Sequence, residues 1–337
     1  MFMSATDAMP FDEFRRRIHA VYAGPAHSPR TAYQMDHVLA LVQRLGCTSI
    51  ADVTTELAAK YVAWRCESVC ATTVLGELCY LRSAVNYAIE EGWIDRKPQW
   101  HRVRPRAGPR RKKVLHSIGD IARVLALLKS RSAEWTWNRL YALVGVVAYT
   151  GLRRDEALHL QVADVHLSDR LILVVARRRL KTQASAAPVP ICSPLRAILA
   201  QWIPRVGSPW LFPGVRRTGP WIGGSDGTRP TDRVRAVGAE LGIDGLTLQS
   251  LRHTFATWSR RRWGLSALQL RDVLRHTTEH TQEHYVHGEL DFEELIRSVR
   301  KVRYHESAGR AQTRPSAVTG RPCRVRGASN DLTGPGC

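Results

Sequence analysis

No stretch of this 337-residue chain approaches 18 uninterrupted apolar residues, so the sequence predicts no membrane-spanning helix. The opening MFMSATDAMP lacks the apolar core of a secretion signal. Cysteines stand at 47, 66, 70, 79, 192, 323 and 337, yet none forms a CxxC pair or a zinc-site spacing. An odd cysteine count without a signal suits a reducing compartment, so the cytoplasm is the expected location. No internal repeat is found. Acidic side chains are scarce: 30 Asp and Glu face 50 Lys and Arg, a formal charge of +20. A chain this basic is expected to meet a polyanion, most often nucleic acid. Lysine is scarce beside arginine, whose fork suits bidentate phosphate contacts, although a GC-rich genome gives the same bias. What is present is ordinary for a globular protein: 44% hydrophobic residues, in a chain long enough for two domains with cores of their own.

Residues 1–10 read as a loose end. From 11 to 100 the apolar spacing alternates by three and four, which predicts a bundle of about four helices. Ser28–Pro29 opens one, with Tyr33, Val38, Leu39, Leu41, Val42 and Leu45 on its apolar positions. Leu57 to Trp64 gives another, and Leu75 to Ile89 a third. Residues 101–113 (HRVRPRAGPRRKK) hold two prolines, one glycine and no acid. Proline and glycine discourage a helix there. Arg102, Arg104, Arg106, Arg110, Arg111, Lys112 and Lys113 make it a candidate strap along a nucleic-acid backbone, or else a solvated linker. A second domain is expected over 114–304. Helices are predicted over 117–129, 135–149, 193–203, 231–241, 251–263, 266–274, 281–287 and 291–302. Short strands are predicted at 165–167, 171–178 and 188–191. Residues 305–337 are rich in Gly, Ser, Thr, Pro and Arg and read as a disordered basic tail. The fold class is therefore mainly α with a small β-sheet in the second domain.

The chemistry concentrates in that second domain. TGLRRDEAL (150–158) turns at Thr150–Gly151 and puts Arg153 near a helix start, where guanidinium and backbone N–H groups both serve a phosphate. Glu156, three residues on, can hold Arg153 from the same face; Arg154 competes for the role. Lys181 is the only lysine between Lys129 and Lys301. It can give up a proton where arginine cannot, which makes it a candidate general acid for a leaving 5′ oxygen. LQSLRHTFATWSRR puts Arg252 at a helix opening, with Leu251, Phe255, Ala256 and Trp258 toward the core. Arg252 can meet the same phosphate as Arg153, and His253 reads as packing or capping. His276 can bond a phosphate oxygen or move a proton near neutral pH. Tyr285, nine residues later, is the candidate nucleophile. A phenol with a pKa near 10 attacks only in a strongly positive site.

TGLR-x-x-E, KT…VP, LRHTFAT and LRH-x8-Y, in the order Arg, Lys, Arg, His, Tyr, resemble the signature of the tyrosine recombinase or phage integrase family. The resemblance covers roughly residues 11–302. It implies an N-terminal, SAM-like helical core-binding domain, including LRSAVNYAIEEGWI, and a tyrosine-recombinase catalytic domain. It implies a site-specific recombinase that cuts duplex DNA with Tyr285, keeps a 3′-phosphotyrosyl link and uses no cofactor. Double-stranded DNA is the implied partner, with a homotetramer on two DNA sites. The helix over 291–302 would dock on a neighbour, and an accessory DNA-bending protein has room in the scheme. One position departs from the pattern. The family usually has histidine three residues before the second arginine, and this chain has Gln249. Glutamine can bond a phosphate oxygen but cannot act as a general base, a role worth roughly 10²–10⁴-fold.

Other readings compete. A relative that binds DNA without cutting it fits Gln249. A type IB topoisomerase shares the chemistry, but the helical N-terminal domain favours a recombinase. His280-Thr-Gln-Glu283-His284 matches the H-x-x-E-H zinc-peptidase pattern, yet that reading leaves the arginines and the charge without a purpose.

Overall fold

A helix that is apolar on all faces is stable only inside a protein. Helix α7 (Trp135–Thr150) is one, with every residue from Asn138 to Thr150 buried. The C-terminal half of the fold is built around it. The computed structural model describes residues 9–106, 108, 114–175, 188–223, 229–275 and 292–304.

Helices α1 (Phe11–Ala23), α2 (Pro29–Gln43), α3 (Thr55–Ser68) and α4 (Ala71–Glu90) enclose a first core that runs from Phe11 to Ala88. Ser28 caps α2 by accepting from the Thr31 N–H at 3.1 Å, with Pro29 in the first turn. Glu77 of α4 is buried, and it accepts from Tyr61 Oη at 2.8 Å and Arg65 Nη2 at 2.6 Å, both on α3. A buried carboxylate is tolerable only with such partners, so α3 and α4 are held in register. After α5 (Trp100–Val103) the chain reaches α6 (Ile118–Ser130), capped by a Ser117–Asp120 box.

The second core runs from Ile118 to Tyr304. Around α7 pack α6, α8 (Arg154–Leu158), α9 (Ser193–Trp202), α10 (Pro230–Glu240) and α11 (Leu248–Arg261). Helix α12 (Ala267–Leu274) lies on α11. Strands β1 (Val165–His166), β2 (Leu171–Leu173) and β3 (Pro188–Pro190) form an antiparallel meander. Ile172 sits opposite both Val165 and Val189, and Ile172 and Val189 are buried. His116 fastens the start of this half to α11: its ring bonds Ser250 Oγ at 2.8 Å, and its carbonyl accepts from Trp258 Nε1 at 2.9 Å.

Several elements differ from the sequence reading. Helix α11 begins a turn earlier than expected, because Thr247 and Ser250 form a capping box. Arg252 therefore stands in the second turn, not at the opening. A one-turn helix, α5, enters the basic linker and ends before Pro105, where Arg104 is extended. Tyr33, read as part of an apolar face, is 65% exposed and stacks on His37. The buried residues of α2 are Ala32, Met35, Val38, Leu39, Leu41 and Val42, and Tyr33 lies beside them. Helix α13 (Phe292–Val299) is seated on its own chain. Gln269 Nε2 donates to Ser298 Oγ at 3.0 Å, Val299 and Val302 are buried, and Tyr304 Oη donates to the Ala148 carbonyl at 2.7 Å. In the single chain these side chains pack on the second core.

Gly151 ends α7 at φ +65°, the left-handed cap that glycine reaches without a Cβ penalty. A Cβ there would stand 2.6 Å from Phe255 and 2.7 Å from Leu274. Gly151→Ala should therefore lower stability by about 3 kcal/mol in urea unfolding, through backbone strain and overpacking together. A loss below about 0.5 kcal/mol would mean the turn is not tight.

Candidate active site

The turn after α7 aims the first arginine. Thr150 Oγ1 donates back to the Val146 carbonyl at 2.5 Å, Gly151 reverses the chain, and Arg153 becomes the N-cap of α8. The Glu156 carboxylate takes Arg153 twice: Oε1 accepts from Nη1 and Oε2 from the backbone N–H, each at 2.8 Å. The i,i+3 spacing thus brings Glu156 onto Arg153, and the Arg153 backbone N–H is already bonded. Arg154 turns its guanidinium to Asp155, with Nε 2.9 Å from Oδ1.

Arg252 is 5% exposed. It donates from Nη1 to the carbonyl of Gly151 and from Nη2 to that of Leu274 at 3.0 Å. Burial, with Arg153 and Arg275 nearby, pushes this guanidinium down to about 10, against the opposing pull of Glu156. It stays charged near neutral pH.

Arg275 went unnoticed in the sequence. It is 4% exposed, and its Nη2 donates to Glu156 Oε2. Burial pulls its pKa down while Glu156 opposes. Burial by itself would raise the Glu156 carboxyl, but Arg275 and the Arg153 bonds outweigh it and hold Glu156 below the ordinary 4.5. The signal for Arg275 was slight: it sits in LRH just after a helix and reads as a helix end.

These groups line a cleft of about 1120 Å³. Arg153, Arg154, Glu156, Gln249 and Arg252 are on its walls, as are Ser28, Pro29 and Arg30 from the start of α2, so both cores contribute. Among the described residues, five arginines (Arg30, Arg153, Arg154, Arg235 and Arg252) face three carboxylates (Asp155, Glu156 and Asp164), an excess of positive charge suited to an anion. Gln249 is exposed, with its Nε2 3.3 Å from the His253 Nε2. His253 is therefore a cleft residue, not one packed away in the core. Arg102, Arg104 and Arg106 are exposed. Lys181, His276, Tyr285, Arg110, Arg111, Lys112 and Lys113 lie outside the described residues, as does the His280–His284 motif. Among the described residues no group of three His, Cys, Asp or Glu could hold a metal ion, and no helix is long and apolar enough to cross a membrane.

The profile of the phage integrase family matches residues 120–290, just over half of the chain. The chain belongs to this family. The chain is also 28% identical over 244 residues to tyrosine recombinase XerC of Methylobacterium nodulans, covering 68% of this chain and 71% of that one. Among solved structures it is similar to the Tn1549 transposon integrase in complex with a circular intermediate DNA, with a TM-score of 0.65 and 17% identity over 86% of this chain and 99% of that one. It is also similar to a lambda integrase dimer bound to a COC′ core site, with a TM-score of 0.60 and 16% identity over 84% and 100%. At such identities the likeness is one of fold. In this phage integrase family member the matched span includes Arg153, Lys181, Gln249, Arg252, His276 and Tyr285.

Because the folded pKa of Glu156 is depressed, its contribution to stability is complete above about 4.5 and is lost as pH falls through the lower folded value. Glu156→Gln should cost about 3 kcal/mol in urea unfolding near neutral pH, since it leaves two guanidiniums short of a counter-charge. The gap to wild type should narrow in acid. An equal gap at both pH values would show that the carboxylate charge is not what matters.

Proposed function

We propose that the chain is a site-specific DNA recombinase that cuts and rejoins duplex DNA through a 3′-phosphotyrosyl intermediate. The observation that carries this reading is the pair Arg153 and Arg252, held by Glu156 and by two backbone carbonyls on the walls of one positively charged cleft. Such an arrangement is ready for a phosphate before it arrives, which is where electrostatic catalysis of phosphoryl transfer gains most. Family membership and the name of the curated relative, a tyrosine recombinase, support the same reading.

In this reading the Tyr285 oxygen attacks the scissile phosphorus and gives its proton to water or to His276. The bond from phosphorus to the 5′ oxygen breaks, and Lys181 supplies that oxygen with a proton. Arg153, Arg252 and His276 balance the charge on the equatorial oxygens. A 5′ hydroxyl of the partner strand then attacks and releases Tyr285. No nucleotide is consumed, because the phosphotyrosyl bond keeps the energy of the original one. The N-terminal bundle and the basic linker grip one side of the duplex and the second domain the other. Four protomers assemble on two sites, in the cytoplasm, with or without an accessory DNA-bending protein. The exposed Gln249 favours a second reading, a relative that binds DNA without cutting it.

A nicked suicide substrate carrying the element's own end, run on a denaturing gel, tests both. Wild type should give a covalent protein–DNA band and Tyr285→Phe none. Footprinted binding without a wild-type band would favour the non-cutting relative. DNA affinity should also fall steeply with salt, the log–log slope gaining roughly −0.9 for each phosphate neutralised; a nearly flat plot would rule out the clamp.

A further inference from the structure

Glu156 has a second buried partner, and that partner stands in a conformation few arginines adopt. Arg275 lies at φ +51°, in the left-handed region that glycine enters without steric cost. Its side chain is not on the wall of the cleft; it lies behind it, on Glu156. The Glu156 Oε2 that meets Arg275 also accepts the Arg153 N–H, while Oε1 takes the Arg153 guanidinium. One carboxylate is thus divided between two guanidiniums. The residue before Arg275 supplies the Leu274 carbonyl that accepts from Arg252. Arg275 is therefore linked to Arg153 through Glu156 and to Arg252 through the Leu274 backbone, while its own side chain is not among the residues lining the cleft.

We propose that Arg275 is a positioning residue for strand cleavage. By drawing on the charge of Glu156 it leaves Arg153 with positive charge to offer a phosphate. By fixing the turn at residue 275 it keeps the Leu274 carbonyl on Arg252. The inference rests on the strand-transfer reading above.

The test is single-turnover formation of the covalent band at saturating DNA, with DNA affinity and thermal unfolding measured alongside. Arg275→Gly removes the charge while easing the backbone. Its cleavage rate should fall by about 10²-fold, the usual penalty for slight misplacement of a catalytic group. DNA affinity should stay within about threefold, because most phosphate contacts lie elsewhere. Arg275→Lys, which restores a charge, should recover much of the rate. A glycine variant that cleaves like wild type, or a lysine variant no faster than glycine, overturns the inference. So does a loss that appears only in affinity or in thermal midpoint, since that marks a purely structural role. Should Arg275→Gly not fold, Arg275→Gln takes its place under the same criteria. Wild type without any covalent band overturns the strand-transfer reading, and the inference with it. A wild-type band beside an unimpaired glycine variant overturns the inference alone.

Discussion

The Glu156 carboxylate accepts twice from Arg153 and once from Arg275, in a place that water scarcely reaches. Withdrawing an ion from water costs several kcal/mol, and only well-aligned partners offset it. The three groups therefore cannot shift independently. Arg275 comes from the end of α12, Arg153 and Glu156 from the turn into α8, so the carboxylate ties two distant stretches of chain together. Arg252 adds a third stretch by bonding the carbonyls of Gly151 and Leu274. The shape of the cleft follows from these bonds, and the buried helix α7 supplies the rigid base on which they are assembled.

This frame also explains how so much positive charge is kept in one place. Arg252 is buried beside Arg153 and Arg275, and like charges in a poorly solvated site repel. One carboxylate cannot neutralise three guanidiniums. The carbonyls help, since an N–H⁺ donor to a backbone oxygen is partly solvated by it. What remains unbalanced is directed to the cleft, where Arg30 from the first core also stands. The cleft thus carries a net positive charge on walls drawn from both halves of the protein.

Sequence pattern reveals what is periodic and local. Helices α6, α7 and α9 begin and end within a residue or two of the expected positions, because their apolar spacing is strong. The Arg153–Glu156 pair was legible because it spans three residues of one helix start. The partners of Arg252 were not: they are main-chain oxygens, one of them 101 residues away, and no side chain announces them. The early start of α11 depended on a Thr–Ser box that the apolar pattern does not record. Arg275 was hidden for a further reason. A left-handed helix cap is ordinarily marked by glycine, and an arginine in that place looks like one more surface charge.

Arg153 and Arg252 differ in how they can be lost by sequence drift. Arg252 depends on carbonyl oxygens, which every amino acid carries, so replacing Leu274 with another residue cannot delete its acceptor. Only a change in backbone shape, as at Gly151, or a change of Arg252 itself, disturbs that contact. Arg153 depends on one specific side chain, and that side chain on another; a single codon change at 156 or 275 breaks the series. In a diverging lineage the Arg252 half of the site should tolerate wide variation among its neighbours, while residues 153, 156 and 275 should change together or not at all.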